Sequence, residues 1–319
     1  MRPEVRVRPA AGASLAGAAA CLLAACAPPA PPVDTPPAPA AIEVQTEDVA
    51  RFYDLYEATG GQPSAEQIQR DYLDRGSTGL RHLLAARNVN AENIARALAE
   101  RPELYTNART CLASLPRIAD RLERTFRNLL EIYPEAEKPP VTILVSRGKP
   151  IAIAERGHGV QVALEGMCSD LAAKVLGGDA DDRFVNVIAH EYIHVQQPAE
   201  RDAPTVLQRT IAEGVAEFVG ELISGGLANV AVHASAEGRE REIETRFLAD
   251  VGKTDLSAWF DNTTAEDPGQ LGYWVGYRIA KAYYRRAPDK RAAIRDLIEA
   301  PDARALLAQS GWYPGIALD

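Results

Sequence analysis

Between Glu47 and Pro134 the apolar residues recur three and four apart, and the chain reads as one helix after another. VARFYDLYEATG stops at a glycine pair, and SAEQIQRDYLDRGSTGLRHLLAARNV and NAENIARALAERPELY follow with capping residues and the same spacing. ARTCLASLPRIADRLERTFRNLLEIYP is a further long helical stretch, bent or broken at Pro116 and stopped at Pro134. The period then shortens to two. PPVTILVS reads as a strand from its β-branched content and HGVQVALEG as another, with RGHG as a turn between them. Helical spacing returns with a helix capped by Asp181 or Asp182 and ended by Pro198, its buried stripe made of Phe184, Val187, Ile188 and Val195. APTVLQRTIAEGVAEFVGELISGG is the next, closed by Gly225 and Gly226, with Leu207, Ile211, Val215, Phe218 and Leu222 on its apolar face. Helices, a small sheet, then helices again, with no internal repeat, predict a mostly helical α+β fold.

The first residues follow none of these periods. Arg2, Arg6 and Arg8 precede an apolar stretch too short to span a bilayer comfortably, which reads as a secretory signal. Leu23-Ala24-Ala25-Cys26 resembles the bacterial lipobox, implying lipidation at Cys26; an ordinary signal peptide cut after small residues is the other reading. Ala27 resembles the pattern that sends lipoproteins to the outer membrane. Residues 27 to 41, APPAPPVDTPPAPAA, are too rich in proline for helix or central strand and read as a semi-rigid spacer. The expected organisation is thus a signal over 1–25, a linker over 26–41 and one folded region over 42–319, anchored in the cell envelope and facing the periplasm. Removing residues 1–25 takes the formal charge from −9 to −11, which argues against nucleic acid as a partner.

In an exported chain, Cys111 and Cys168 either oxidise to a disulfide or remain as two buried thiols. Joined, they close a loop of roughly 58 residues, worth about 4 kcal/mol on chain-entropy grounds.

The chemistry concentrates at HEYIH. His190 and His194, four apart on a helix, lie on one face and can reach a single ion. Glu191 stands beside them, where a carboxylate can serve a metal-bound water as general base without being a ligand. Two surface histidines on a helix are the bland alternative, as solvated surface is for Glu213, Glu217 and Glu221. Eighteen residues separate His194 from Glu213, which opens EGVAEF.

HExxH, eighteen residues, then EGxAE resembles the pattern of the gluzincin metallopeptidases, which include thermolysin-like enzymes and the aminopeptidase N family. The resemblance implies a zincin-like fold, Zn2+ held by His190, His194 and Glu213, and Glu217 as the acid that orients a zinc-bound histidine. Two histidines and a glutamate leave a fourth position open, as in catalytic rather than structural zinc sites. Over residues 47 to 314 the chain also resembles the bacterial predicted zinc-dependent proteases related to gliding-motility lipoproteins. Gluzincins commonly draw an oxyanion-stabilising group from a downstream tyrosine or histidine. Tyr273 and Tyr277, on the helix beginning near Gly272, are the candidates; Tyr277 is preferred, and His158 in the turn is an outsider.

The resulting expectation is an envelope zinc peptidase acting on peptide or protein substrates, with GVQVALEG as the edge along which a peptide lies. The exopeptidase element of the aminopeptidase family is not evident, which favours an endopeptidase. The rivals are a non-catalytic envelope lipoprotein retaining the fold and a zinc hydrolase acting on something other than peptides.

Overall fold

Caps and prolines set the helix boundaries of the first half of the computed structural model, which describes residues 41–149, 152–199, 202–264 and 266–318. The signal, the spacer and Cys26 lie outside the described residues. Strand β1 (Val44–Gln45) leads into α1 (Glu47–Ala58); α2 (Ala65–Ile68) continues as a π-helical turn (Gln69–Leu73) and is followed by α3 (Thr78–Arg87) and α4 (Ala91–Glu100). Ser64, Ser77 and Asn90 cap α2, α3 and α4 through side-chain oxygens that accept from backbone N–H groups. Pro102 and Pro116 sit in the first turns of α5 (Pro102–Leu112) and α6 (Leu115–Ile132), where a missing N–H is harmless. Pro116 therefore opens a helix rather than bending one.

The sheet contains β2 (Val141–Leu144), β3 (Ala152–Glu155) and β4 (Gly159–Ala163), in the order β1-β2-β4-β3. β1 with β2 and β2 with β4 are parallel, while β3 runs antiparallel to β4. Gly159 starts β4 at φ 78°, with its α-carbon so close to Pro140 that a β-carbon would lie 1.9 Å from the Pro140 carbonyl oxygen. The structure corrects one expectation: β4 is an interior strand, buried throughout and paired on both sides, and the edge beyond it is β3.

After α7 (Leu164–Met167) and α8 (Asp170–Leu176) come the two long central helices, α9 (Ala180–Gln196) and α10 (Val206–Ser224). α9 is capped by Asp179; Asp181 and Asp182, expected to cap it, instead bond Arg117 and Arg121 of α6. α10 starts with a Thr205–Gln208 capping box and ends at Gly225, in the left-handed conformation. Leu222, in its last turn, is exposed rather than buried with the rest of the stripe. The chain finishes with α11 (Val230–Ala236), α12 (Glu240–Asp250), α13 (Leu271–Arg286), α14 (Lys290–Glu299) and α15 (Ala303–Ser310).

The described residues are thus mostly helical around one small mixed sheet, an α+β protein with α9 packed under β3 and β4 and flanked by α6 and α10. A Cys111–Cys168 disulfide ties the end of α5 to the segment after α7. Among the described residues no helix is long and apolar enough to cross a membrane.

Candidate metal centre

Two helices carry the centre. His190 and His194 stand one turn apart on α9 and Glu213 comes from α10, so no ligand position depends on a loop. The two Nε2 atoms are 3.2 Å apart and lie 3.3 Å (His190) and 3.0 Å (His194) from Glu213 Oε2. The outward nitrogens are occupied. His190 Nδ1 faces Glu217 Oε2 at 3.1 Å, and His194 Nδ1 faces Gln197 Oε1 at 2.7 Å. Gln197 donates its amide to the Ala212 carbonyl, which fixes which end of the amide meets the histidine. With Nδ1 of each ring donating to an oxygen, both Nε2 lone pairs point at the Glu213 carboxylate.

Three nitrogen and oxygen atoms meeting at 3.0–3.3 Å, in residues no more than partly exposed, form a group that could hold a cation between them. The donor atoms of a tetrahedral zinc site, at about 2.0–2.2 Å from the metal, lie about 3.3–3.5 Å from one another. The observed set lies at or slightly below that spacing and has the right donor chemistry. Protons are the other way to satisfy it. Burial works against charge on His190, but hydrogen bonds to Glu213 and Glu217 outweigh it and raise the ring to about 10. His194 is raised against the same burial, chiefly by the charge of Glu213. Burial likewise opposes ionisation of Glu213 and Glu217, yet the histidines hold both carboxyls below the usual range.

Glu217 is itself held in place. The Asn229 backbone N–H donates to its Oε1 at 3.0 Å and the Asn229 side chain to its Oε2 at 2.8 Å, with His233 Nε2 at 3.5 Å. Burying two charged glutamates on a helix otherwise packed into the core would be costly unless partners compensated. The partners here are histidines, an arginine and an asparagine. Gln197, Asn229 and Arg209 were not singled out in the sequence. Arg209, four residues before Glu213, was readable from helical spacing; Asn229, in the loop before α11, gave no signal.

A cleft of about 900 Å³ opens on this centre, bordered by β3, α10, the segment after α9 and the junction of α14 with α15. Glu191, His194, Glu213 and Tyr273 line it. Glu191 is partly exposed, stands outside the three-atom cluster and makes no hydrogen bond to the described residues.

The tyrosines separate. Tyr273 lies against the His190 ring with centroids 5.8 Å apart, and its hydroxyl has no hydrogen-bond partner among the described residues. Tyr277, the preferred candidate, is directed elsewhere: its hydroxyl bonds Glu221 at 2.7 Å and accepts from Lys281 at 3.3 Å, and it does not line the cleft. The cause is the crossing of α10 and α13, where Gly214 and Gly276 bring the backbones together. A β-carbon on Gly214 would lie 1.9 Å from the Gly276 carbonyl carbon. His158 stacks on His82 in the β3–β4 turn and does not line the cleft.

Fold and centre together define a helical α+β protein with a buried two-histidine, one-glutamate cluster at the wall of a cleft. Residues 118–301, more than half of the chain, match the family described as "Predicted Zn-dependent protease (DUF2268)", and the chain belongs to that family. The match runs from α6 to the end of α14 and includes strands β2, β3 and β4, both central helices and Tyr273. No curated protein and no solved structure gives a significant match.

Proposed function

We propose that this chain is a zinc peptidase of the gluzincin type with a zincin-like fold, acting on extended peptide segments in the bacterial cell envelope. The observation that carries the reading is the convergence of His190 Nε2, His194 Nε2 and Glu213 Oε2 beside a Glu191 that is not part of the cluster. A Zn2+ ion held by those three atoms supplies a Lewis acid for the scissile carbonyl and lowers the pKa of water toward neutrality.

The remaining work falls to the chain's own groups. β3 ends the sheet and lines the cleft, so its outer edge can pair with an extended peptide through backbone hydrogen bonds, giving recognition with little side-chain selectivity. Glu191 takes a proton from the attacking water and passes it to the leaving amine. The Tyr273 hydroxyl, free of partners within the described residues, donates to the oxyanion that develops on the substrate. Glu217 and Gln197 keep the Nδ1 protons in place, so that each histidine presents Nε2 to the cluster.

Zinc analysis combined with hydrolysis of an unstructured protein tests the reading. About one zinc per chain is expected, and Glu191→Gln should retain it while hydrolysis falls about 100- to 10,000-fold. A parent protein that binds no zinc even after reconstitution would overturn the proposal. The envelope location rests on the residue pattern around Cys26 alone. Fractionation tests it: Cys26→Ala should leave the membrane pellet, and a variant still membrane-bound after a carbonate wash counts against a single lipid anchor.

A further inference from the structure

We infer that Arg209 is a positioning residue that keeps Glu213 a one-oxygen metal ligand and so preserves the open coordination position. The inference rests on the zinc reading of the centre given above.

The argument starts from the carboxylate. Its two oxygens are chemically equivalent, and left alone both can close on the same cation. A second carboxylate oxygen would crowd the position that a catalytic centre reserves for water and substrate. Here the two oxygens face different partners. Oε2 faces both histidines, whereas Oε1 is 2.8 Å from Arg209 Nη2. Turning Oε1 toward the histidines would break a charge-assisted bond made by a carboxylate only 4% exposed.

Arg209 is well placed for this. It precedes Glu213 by one turn of α10, so the reach between them is set by helix geometry. Its guanidinium carbon lies 5.9 Å from the centroid of the buried Phe260 ring, which restricts where the group can swing. Its side chain, 32% exposed, lines the cleft, so the contact stands at the open side of the centre. The positive charge also draws electron density from the carboxylate, weakening the ligand and leaving the metal the stronger Lewis acid.

Both effects give the same unusual sign. Removing a group that merely supports a ligand loosens a metal by about 10- to 100-fold. Removing Arg209 frees a second oxygen and deletes a nearby positive charge, so the metal should bind more tightly while turnover falls.

The test uses the full chain loaded with Co2+ alone, whose visible absorption is intense with four ligands and weakens as more join. Arg209→Met should bind Co2+ about tenfold more tightly in chelator competition, since the loss of a unit charge near the ligand remains felt through screening. Its absorption should weaken and its peptide hydrolysis should fall. Arg209→Lys, which keeps the charge and a donor, should return affinity and absorption toward the parent's.

Weaker cobalt binding in Arg209→Met would overturn the inference, as would an absorption band equal to the parent's or a Lys variant that behaves like Met. A parent that binds no cobalt would instead locate the failure in the zinc reading itself.

Discussion

Glu217 on α10 and Glu165 at the head of α7 are both buried, at 1% and 0% exposure, yet their carboxyls move in opposite directions. Glu217 is held below the usual carboxylate range: burial opposes the charge, but His190 and His233 more than offset it. Burial pushes Glu165 up to about 7, against backbone hydrogen bonds from Ser146 and Gly148 at 3.0 and 2.9 Å, both received on Oε1. Its Oε2 has no hydrogen-bond partner among the described residues. Arg101 acts on Glu165 through space but directs its guanidinium to the carbonyls of Gly148 and Arg147. Depth of burial therefore does not distinguish the two sites. The histidine partners of Glu217 do, and one of them, His190, belongs to the centre where a metal would bind.

One substitution at both positions should have opposite consequences. Glu165 has a folded-state pKa near 7, above the unfolded value of 4.5, so the native state holds an extra proton between those limits. Its contribution is fully present below about pH 4.5, declines as pH rises, and by pH 7 and above stability is lower by about 3 kcal/mol. Glu165→Gln keeps an acceptor for Ser146 and Gly148 and should remove that slope, raising stability relative to the parent at pH 8 but not at pH 4.5.

Glu217 has the other sign. Its depressed pKa contributes stability above the unfolded value, lost as pH falls through the folded one. Seen from His190, raised to about 10, the same interaction is complete below the unfolded value near 6.5 and disappears as pH rises through 10. Glu217→Gln should therefore destabilise the metal-free protein near pH 6 and weaken zinc binding by about 10- to 100-fold. Denaturant midpoints across pH, parent against each variant, decide the matter. Parallel pH profiles for the parent and Glu165→Gln would remove the distinction between the two carboxyls.

What the sequence disclosed follows from the range over which each relation acts. His190 and His194 were readable as a pair because α9 is an uninterrupted helix, in which four residues fix a shared face whatever the surroundings, whereas Glu213 and Glu217, on a second helix, were reached only through the resemblance carried by EGVAEF. The alternation of helices with a small sheet was readable for the same reason. β3 was not: it spans four residues, and only its pairing with β4 makes it a strand. β4 looked like an edge because nothing in its own residues records that β2 and β3 lie on either side. The Asp179 cap was missed because three aspartates crowd the start of α9, and the salt bridges to α6 decide which of them is left to cap. Asn229 reaches Glu217 across a loop, where spacing carries no information.

The smallest expected effect concerns the two tyrosines, where partner geometry again separates groups of one type. Their spacing of four residues gave no reason to choose, because the choice depends on how closely α13 approaches α10 at Gly214 and Gly276. Tyr273 lines the cleft beside the His190 ring and its hydroxyl has no partner among the described residues, whereas Tyr277 already has Glu221 and Lys281 as partners. Tyr273→Phe should lower turnover by about 100-fold with zinc content unchanged, the loss typical of one oxyanion donor. Tyr277→Phe should leave turnover within about threefold and lower stability by about 1 kcal/mol, the net worth of its hydrogen bonds. Turnover and zinc content measured on both variants settle the assignment. A larger turnover loss in Tyr277→Phe than in Tyr273→Phe would mean that the helix shifts when substrate binds and brings Tyr277 into the cleft.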